Sequence, residues 1–170
     1  MDVGSAVSAV RLYAEDLHAG AVFDLGSTKV SKEDILDFGR RFDPLPLHTD
    51  EGAAAASRFG GLIASGFHTA AVLQRLSVDA VFSRAALIAG REIDSLRMRA
   101  PVRPGDVLHG TMEIVEVRPR DDSTAVVRSR GTLTNDSGTV VLEVQGETLW
   151  EHRPTGGTEA GRLDRPVRHR

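Results

Sequence analysis

The chain has 170 residues, no cysteine, and a formal net charge of -3 from 21 basic and 24 acidic side chains. That length accommodates one domain with its own core, and 41% hydrophobic with 26% charged residues is an ordinary globular balance. The lack of cysteine excludes disulfides, thiolate zinc sites and cysteine nucleophiles, and the interspersed charges give no reason to expect nucleic acid as a partner.

Residues 1–20 have neither the basic start nor the unbroken apolar run of a secretory signal, and no window approaches a membrane span. A soluble cytoplasmic protein without membrane association is expected. The weak periodicity of this N-terminal segment predicts no definite element and leaves Val10, Leu12, Tyr13 and Leu17 as candidate docking points; the folded domain is expected over 21–152. Ala21 to Lys29 alternates loosely and predicts a strand. Ser31 then precedes a helical stretch as N-cap, with Asp34 in the capping-box position, Val30 as staple, and Ile35, Leu36 and Phe38 as the apolar stripe to about Phe42.

The helix should stop at Phe42-Asp43-Pro44-Leu45-Pro46-Leu47-His48-Thr49-Asp50. Each proline fixes its own φ and drives the preceding residue from the α region, which predicts an extended, stiff bracket holding Asp43 and His48. Such a bracket suits acid/base chemistry, although a solvated Pro-bounded turn fits the same residues. Asp50 is expected to cap a short alanine-rich helix that Gly60-Gly61 ends. From Phe67 to about Arg84 there is no proline or glycine and most faces are apolar, which predicts a buried central helix.

The second half reads as strands. Leu96, Met98, Ala100 and Val102 alternate with polar neighbours over 95–102, and Arg103-Pro104-Gly105-Asp106 forms a turn. Val107–Val117, Ala125–Thr134 and Thr139–Trp150 follow, the last two joined by an Asn135-Asp136-Ser137-Gly138 hairpin turn. This is an α+β plan with a mainly antiparallel sheet around a long helix. Residues 153–170, rich in Gly, Pro and Arg, read as a flexible tail.

Ser65-Gly66 stands directly before the central helix. Its first N–H groups and dipole favour negative charge, so Gly66 and Ser65 are candidates for oxyanion and substrate binding, with Gly66 N–H as the oxyanion donor. An N-cap serine followed by a turn glycine is the simpler alternative. His68, on the buried helix, is expected to be a hydrogen-bonded structural residue. The six histidines show no metal-site spacing, and no Walker, dinucleotide or GxSxG signature is present.

The run FDPLPLHTDEGAAAASRFGGLIASGFHTAAVL resembles the hydratase motif of MaoC-like dehydratases, the (R)-specific enoyl-CoA hydratase group of the hotdog superfamily. LRMRAPVRPGDVLHGTMEIVEVRP resembles that family's strand, turn and following strand, so the likeness spans roughly residues 20–150. Asp43, Pro46 and His48 match the family pattern. Leu45 replaces its usual Asn, and a supporting Ser of some hydratases falls near Ala71.

The resemblance implies a hotdog fold and reversible hydration of a trans-2-enoyl thioester to a 3-hydroxyacyl thioester in fatty acid metabolism. Asp43 would take a proton from water, His48 would deliver one to C2, and Gly66 N–H would hold the enolate oxygen. No metal or redox cofactor is expected; coenzyme A or an acyl-carrier pantetheine would belong to the substrate. A homodimer or higher homo-oligomer is implied. The competing readings are a thioester hydrolase of the same fold and a non-catalytic acyl-binding or partner subunit.

Overall fold

The computed structural model describes residues 11–154. Most of the tail expected over 153–170 therefore lies outside the described residues, as do residues 1–10 with the docking point Val10. A 3-10 turn, Ala14–Asp16, leads into strand β1, Val22–Lys29. Helices α1, Lys32–Phe42, α2, Pro46–Thr49, α3, Glu51–Ala56, and α4, Gly66–Ala80, come next, followed by a second 3-10 turn, Phe82–Arg84. Strands β2, Leu87–Met98, β3, Val107–Pro119, β4, Thr124–Asn135, and β5, Val140–Glu151, complete the chain order.

All paired strands are antiparallel, in the order β1-β3-β4-β5-β2, so β1 and β2 form the two edges. The sheet curls around α4, which is the hotdog arrangement. Two glycines let the helix approach closely. A Cβ at Gly131 on β4 would stand 2.8 Å from Leu73 Cδ2, and one at Gly110 on β3 would stand 3.2 Å from Leu76 Cδ1. Leu73 and Leu76 thus nest into the sheet, and the core fills around them with Ile35, Leu108, Ile114, Val127, Leu133, Leu142 and Trp150.

Local signals for α1 act as expected. Ser31 Oγ accepts the Asp34 N–H while Asp34 accepts from the Ser31 N–H and hydroxyl, closing the capping box. Asp50 Oδ1 accepts the Ala53 N–H and starts α3. At the Arg103 turn, Gly105 adopts φ +92° and Asp106 accepts the Arg103 N–H.

Four expectations need correction. The segment from Asp43 to Asp50 is not extended throughout: Leu45 is, but Pro46–Thr49 makes one α-turn carrying His48. Proline stiffens that turn as its first residue, where its missing N–H has no helical partner to lose. The central helix ends at Ala80 rather than near Arg84. Nor is it buried all round, since Phe67, Ala71, Gln74 and Val78 are exposed. The strand placed over 95–102 instead spans Leu87–Met98, because bulges against β5 interrupt its alternation and its outer edge is solvated. The buried Nδ1 of His68 has no hydrogen-bond partner among the described residues; its ring stacks on Phe38 at 4.9 Å.

Gly39 on α1 locks the His48 turn in place. A Cβ there would meet the His48 carbonyl oxygen at 2.8 Å and His48 Cβ at 3.0 Å, so α1 and α2 touch backbone to backbone. Gly39→Ala sets two effects against each other: helix propensity favours Ala by about 1 kcal/mol, while overpacking against immobile backbone costs about 1–3 kcal/mol. The clash should win. Urea denaturation is expected to show net destabilisation, and a stabilised variant would mean that the α1–α2 contact is loose.

Burial of His68 pushes its imidazole below the ordinary value of 6.5, with Asp34 opposing the shift. The folded chain then holds this proton less readily than the unfolded chain. The contribution to stability is complete above about pH 6.5 and is lost as pH falls below it. His68→Phe, which keeps the stack on Phe38, should flatten the fall in stability between pH 7 and 5; an unchanged slope would assign it to other groups.

Candidate active site

Asp43 is the C-cap of α1. Its N–H donates to the Gly39 carbonyl at 2.9 Å, and its side chain stays one-quarter exposed. Five residues on, the α2 turn brings His48 back toward it. His48 Nε2 lies 3.5 Å from Asp43 Oδ2, longer than a charge-assisted hydrogen bond. The pair expected from sequence is therefore together, with its polar atoms facing.

The opposite side of the imidazole fixes its state. His48 Nδ1 lies 2.8 Å from the carbonyl oxygen of Ile63, which can only accept, so Nδ1 carries a hydrogen. In the neutral ring Nε2 is then an acceptor, and in the imidazolium it is a second donor aimed at Asp43. The Ile63 N–H in turn donates to the Leu47 carbonyl at 3.2 Å. These contacts lock the histidine onto the segment before α4. Sequence reading missed Ile63, because a main-chain acceptor leaves no side-chain signature.

Ser65 is 1% exposed and caps α4. Its hydroxyl donates to Asp43 Oδ2 at 2.7 Å and accepts the Phe67 N–H at 3.2 Å. It lies outside the residues that line the adjoining cavity and contacts Asp43 instead. Gly66, the first residue of α4, does line that cavity. Phe67 N–H is taken by the Ser65 hydroxyl and Thr69 N–H by the Ser65 carbonyl, whereas Gly66 N–H has no acceptor among the described residues. At the N-terminus of a 15-residue helix, such a donor favours partial negative charge.

The cavity has a volume of about 460 Å3. Asp43, His48, Gly66, Thr69 and Arg99 are its polar lining residues, while Leu47, Phe59, Ile63, Phe67, Val102 and Leu142 are among its apolar walls. Such a lining accommodates an acyl chain with one polar reacting group. The Leu45 side chain is apolar and Leu45 is 53% exposed, though its N–H donates to the Asp43 carbonyl at 2.8 Å and its carbonyl accepts the His48 N–H at 2.9 Å; Ala71 points away on the exposed face of α4 and does not line this cavity. Two further residues went unnoticed in the sequence. Gly39 was detectable as a glycine inside a helical stretch, which usually has a packing cause; Met98, discussed below, read only as a strand residue.

Comparison with known proteins bears on the family and the fold. The family model described as MaoC like domain matches residues 18–136. An uncharacterised protein, YdeM, of Bacillus subtilis is 35% identical over 66% of this chain and 80% of its own length. A 3-hydroxybutyryl-CoA dehydratase of Methylorubrum extorquens is 31% identical over 64% of this chain and 67% of its own. The crystal structure of a MaoC-like dehydratase from Rhodospirillum rubrum superposes with a TM-score of 0.79 at 37% identity, covering 84% of this chain and 99% of that one. The fold is also shared with a Mycobacterium tuberculosis protein described as having a double hotdog fold, at TM-score 0.74 and 22% identity over 86% of this chain and 46% of that one. On its sequence match and its fold, the chain belongs to the MaoC-like dehydratase family.

Proposed function

We propose that the protein adds water reversibly across the double bond of a trans-2-enoyl thioester, giving an (R)-3-hydroxyacyl thioester. The observation that carries this reading is the facing of Asp43 and His48 beside an unengaged Gly66 N–H in one mainly apolar cavity. Likeness to a 3-hydroxybutyryl-CoA dehydratase supports the reaction class. Coenzyme A or an acyl-carrier pantetheine enters as part of the substrate, and the reading calls for no metal or redox cofactor.

The pair works with one shared proton. Hydration starts with that proton on His48 Nε2 and Asp43 ionised. Water, held against both groups, gives a proton to Asp43 as its oxygen bonds to C3. The C2–C3 π electrons move toward the thioester carbonyl, and the resulting enolate oxygen is held by Gly66 N–H. Nε2–H then protonates C2, leaving neutral His48 and protonated Asp43. Transfer of that proton from Asp43 back to Nε2 restores the starting state, and dehydration runs through the same steps in reverse.

A hydrolase of the same fold would direct water at the carbonyl and release free thiol. The placement of two proton-transfer groups, rather than one carboxylate alone, favours hydration over that reading. It also argues against a non-catalytic subunit, since the pair is braced by Ile63 and Ser65.

The exposed edge supports a homodimer. Strand β2 presents 12 residues with one side unpaired, and Ile93 is 67% exposed and Ile88 47%. A long apolar edge needs covering, and the same edge of a second copy provides a matching strand.

Hydration is followed by the loss of enoyl absorbance with crotonyl-CoA. Asp43→Asn and His48→Gln should each lower kcat by about 10²–10⁴-fold, the usual worth of a proton-transfer group. Ser65→Ala should lower it less, by about ten-fold, in line with one charge-assisted hydrogen bond. Retained rates in both Asp43→Asn and His48→Gln would remove the site assignment, and thiol release without hydration would establish the hydrolase. In sedimentation, the chain should run at twice its 18.3 kDa mass. Ile93→Lys should shift it toward monomer, whereas a monomeric wild type would leave β2 unpaired.

A further inference from the structure

Met98 is the last residue of β2, on the far side of the cavity from α1 and α2. Its side chain lies directly on the α-carbon of Gly66. A Cβ built there would fall 2.1 Å from Met98 Sδ, 2.2 Å from Cε and 2.9 Å from Cγ. No real side chain tolerates such distances, so in this conformation residue 66 must be glycine because the thioether occupies the place of its side chain. The same thioether therefore packs on the residue that opens α4.

That creates a conflict which substrate must resolve. Among the described residues the Gly66 N–H has no acceptor, yet the space over the Gly66 α-carbon is filled by the chain's own methionine. Met98 is 53% exposed, and its unbranched side chain has three rotatable bonds and a soft, polarizable sulfur. It moves aside at little cost, unlike the buried walls formed by Val102 and Leu142. A thioester whose carbonyl oxygen bonds Gly66 N–H places its α-carbon next to that oxygen, within reach of the displaced sulfur. A substituent on the α-carbon competes with Met98 for the same volume.

We infer that Met98 is a specificity-determining residue: it covers Gly66 in the empty site, rotates off when an acyl thioester binds, and then packs against the α-carbon, disfavouring 2-substituted substrates. This rests on the acyl-thioester reading above. The Asp43/His48 pair would act on C2 and C3 whichever residue stood at 98, so the inference concerns which substrates reach the pair.

Two measurements test it. The chain has three methionines, so the Met98 methyl signal in a 13C-methyl-methionine NMR spectrum is assigned by its loss in Met98→Leu. Saturated butyryl-CoA, which cannot be hydrated, should shift the Met98 signal and leave that of buried Met112 in place. Kinetically, Met98→Ala should raise the ratio of kcat/KM for 2-methyl-2-butenoyl-CoA over crotonyl-CoA by about ten-fold or more, the usual weight of a methyl group in an apolar pocket. Met98→Leu, which keeps the volume, should leave the ratio near wild type. Butyryl-CoA that binds, by calorimetry, without moving the Met98 methyl overturns the inference while the function stands. So does an unchanged substrate ratio in Met98→Ala. Failure of both wild type and Met98→Ala to bind butyryl-CoA overturns the inference together with the acyl-thioester reading.

Discussion

The Ser65 hydroxyl joins the two halves of the site, and the rest of the geometry depends on where it sits. It donates to Asp43 on α1 and accepts from the first turn of α4, so one fully buried group sets the carboxylate against the helix N-terminus. Burial makes this contact consequential. A hydroxyl removed from water and left without partners costs about 1–3 kcal/mol, so the native arrangement is held by the penalty for breaking it as much as by the bonds. The adjoining Ala64 N–H donates to the Val102 carbonyl at 2.8 Å, fastening the same segment to the chain that leaves β2. Asp43, His48 and Gly66 thus hang from one short extended stretch, 62–65, which is buried throughout.

The sheet enforces this by having one face available for a helix and one that is closed to it. On β4, Val127, Gly131 and Leu133 share the face under α4, while Arg128 and Arg130 alternate to the other side. There Arg128 stands opposite Glu147 of β5, and Glu147 also meets Arg118 at 2.9 Å and Arg91 at 3.3 Å. Asp94 takes up the Arg128 guanidinium at 2.5 Å. Glu147 is only 8% exposed, and removing a single partner from a buried charge is far costlier than leaving the network whole. An apolar helix has no place on such a face. Packing of α4 onto the glycine-bearing face is therefore specified from both sides of the sheet.

Much of this was legible in the residues. The capping box of α1, the cap at Asp50, the Gly105 turn and the β4–β5 hairpin each follow from side chains that bond their own neighbours, and such local chemistry does not wait on the fold. The site pair was legible because two prolines limit the chain between Asp43 and His48. The same rule misjudged the conformation there: proline restrains its predecessor but opens a helix readily, and His48 rides on the turn that Pro46 starts. What could not be read were contacts made across the fold by atoms without a sequence signature. The Ile63 carbonyl that holds His48 is main chain, and β2 begins at Leu87 because bulges against β5 erase its alternation. The exposed face of α4 was read as core because periodicity records apolarity, not what covers it.

Leu45 illustrates how such contacts alter the meaning of a sequence departure. A family-typical Asn at that position would bring a polar side chain toward the pair, and its replacement by an exposed leucine reads as a weakened site. The structure supplies rigidity from elsewhere. His48 is oriented by a main-chain acceptor, which substitution of a side chain cannot remove, and Asp43 by a hydroxyl that is itself fixed as a helix cap. Pro46 needs no polar neighbour to hold the turn. Orientation of the two groups is thus redundant with respect to position 45, and the leucine is free to serve a different end. It stands at the entry of α2, and Phe42, at the end of α1, is 65% exposed. A polar side chain replaced by leucine adds to the exposed apolar surface where α1 passes into α2, while Asp43 and His48 keep their places.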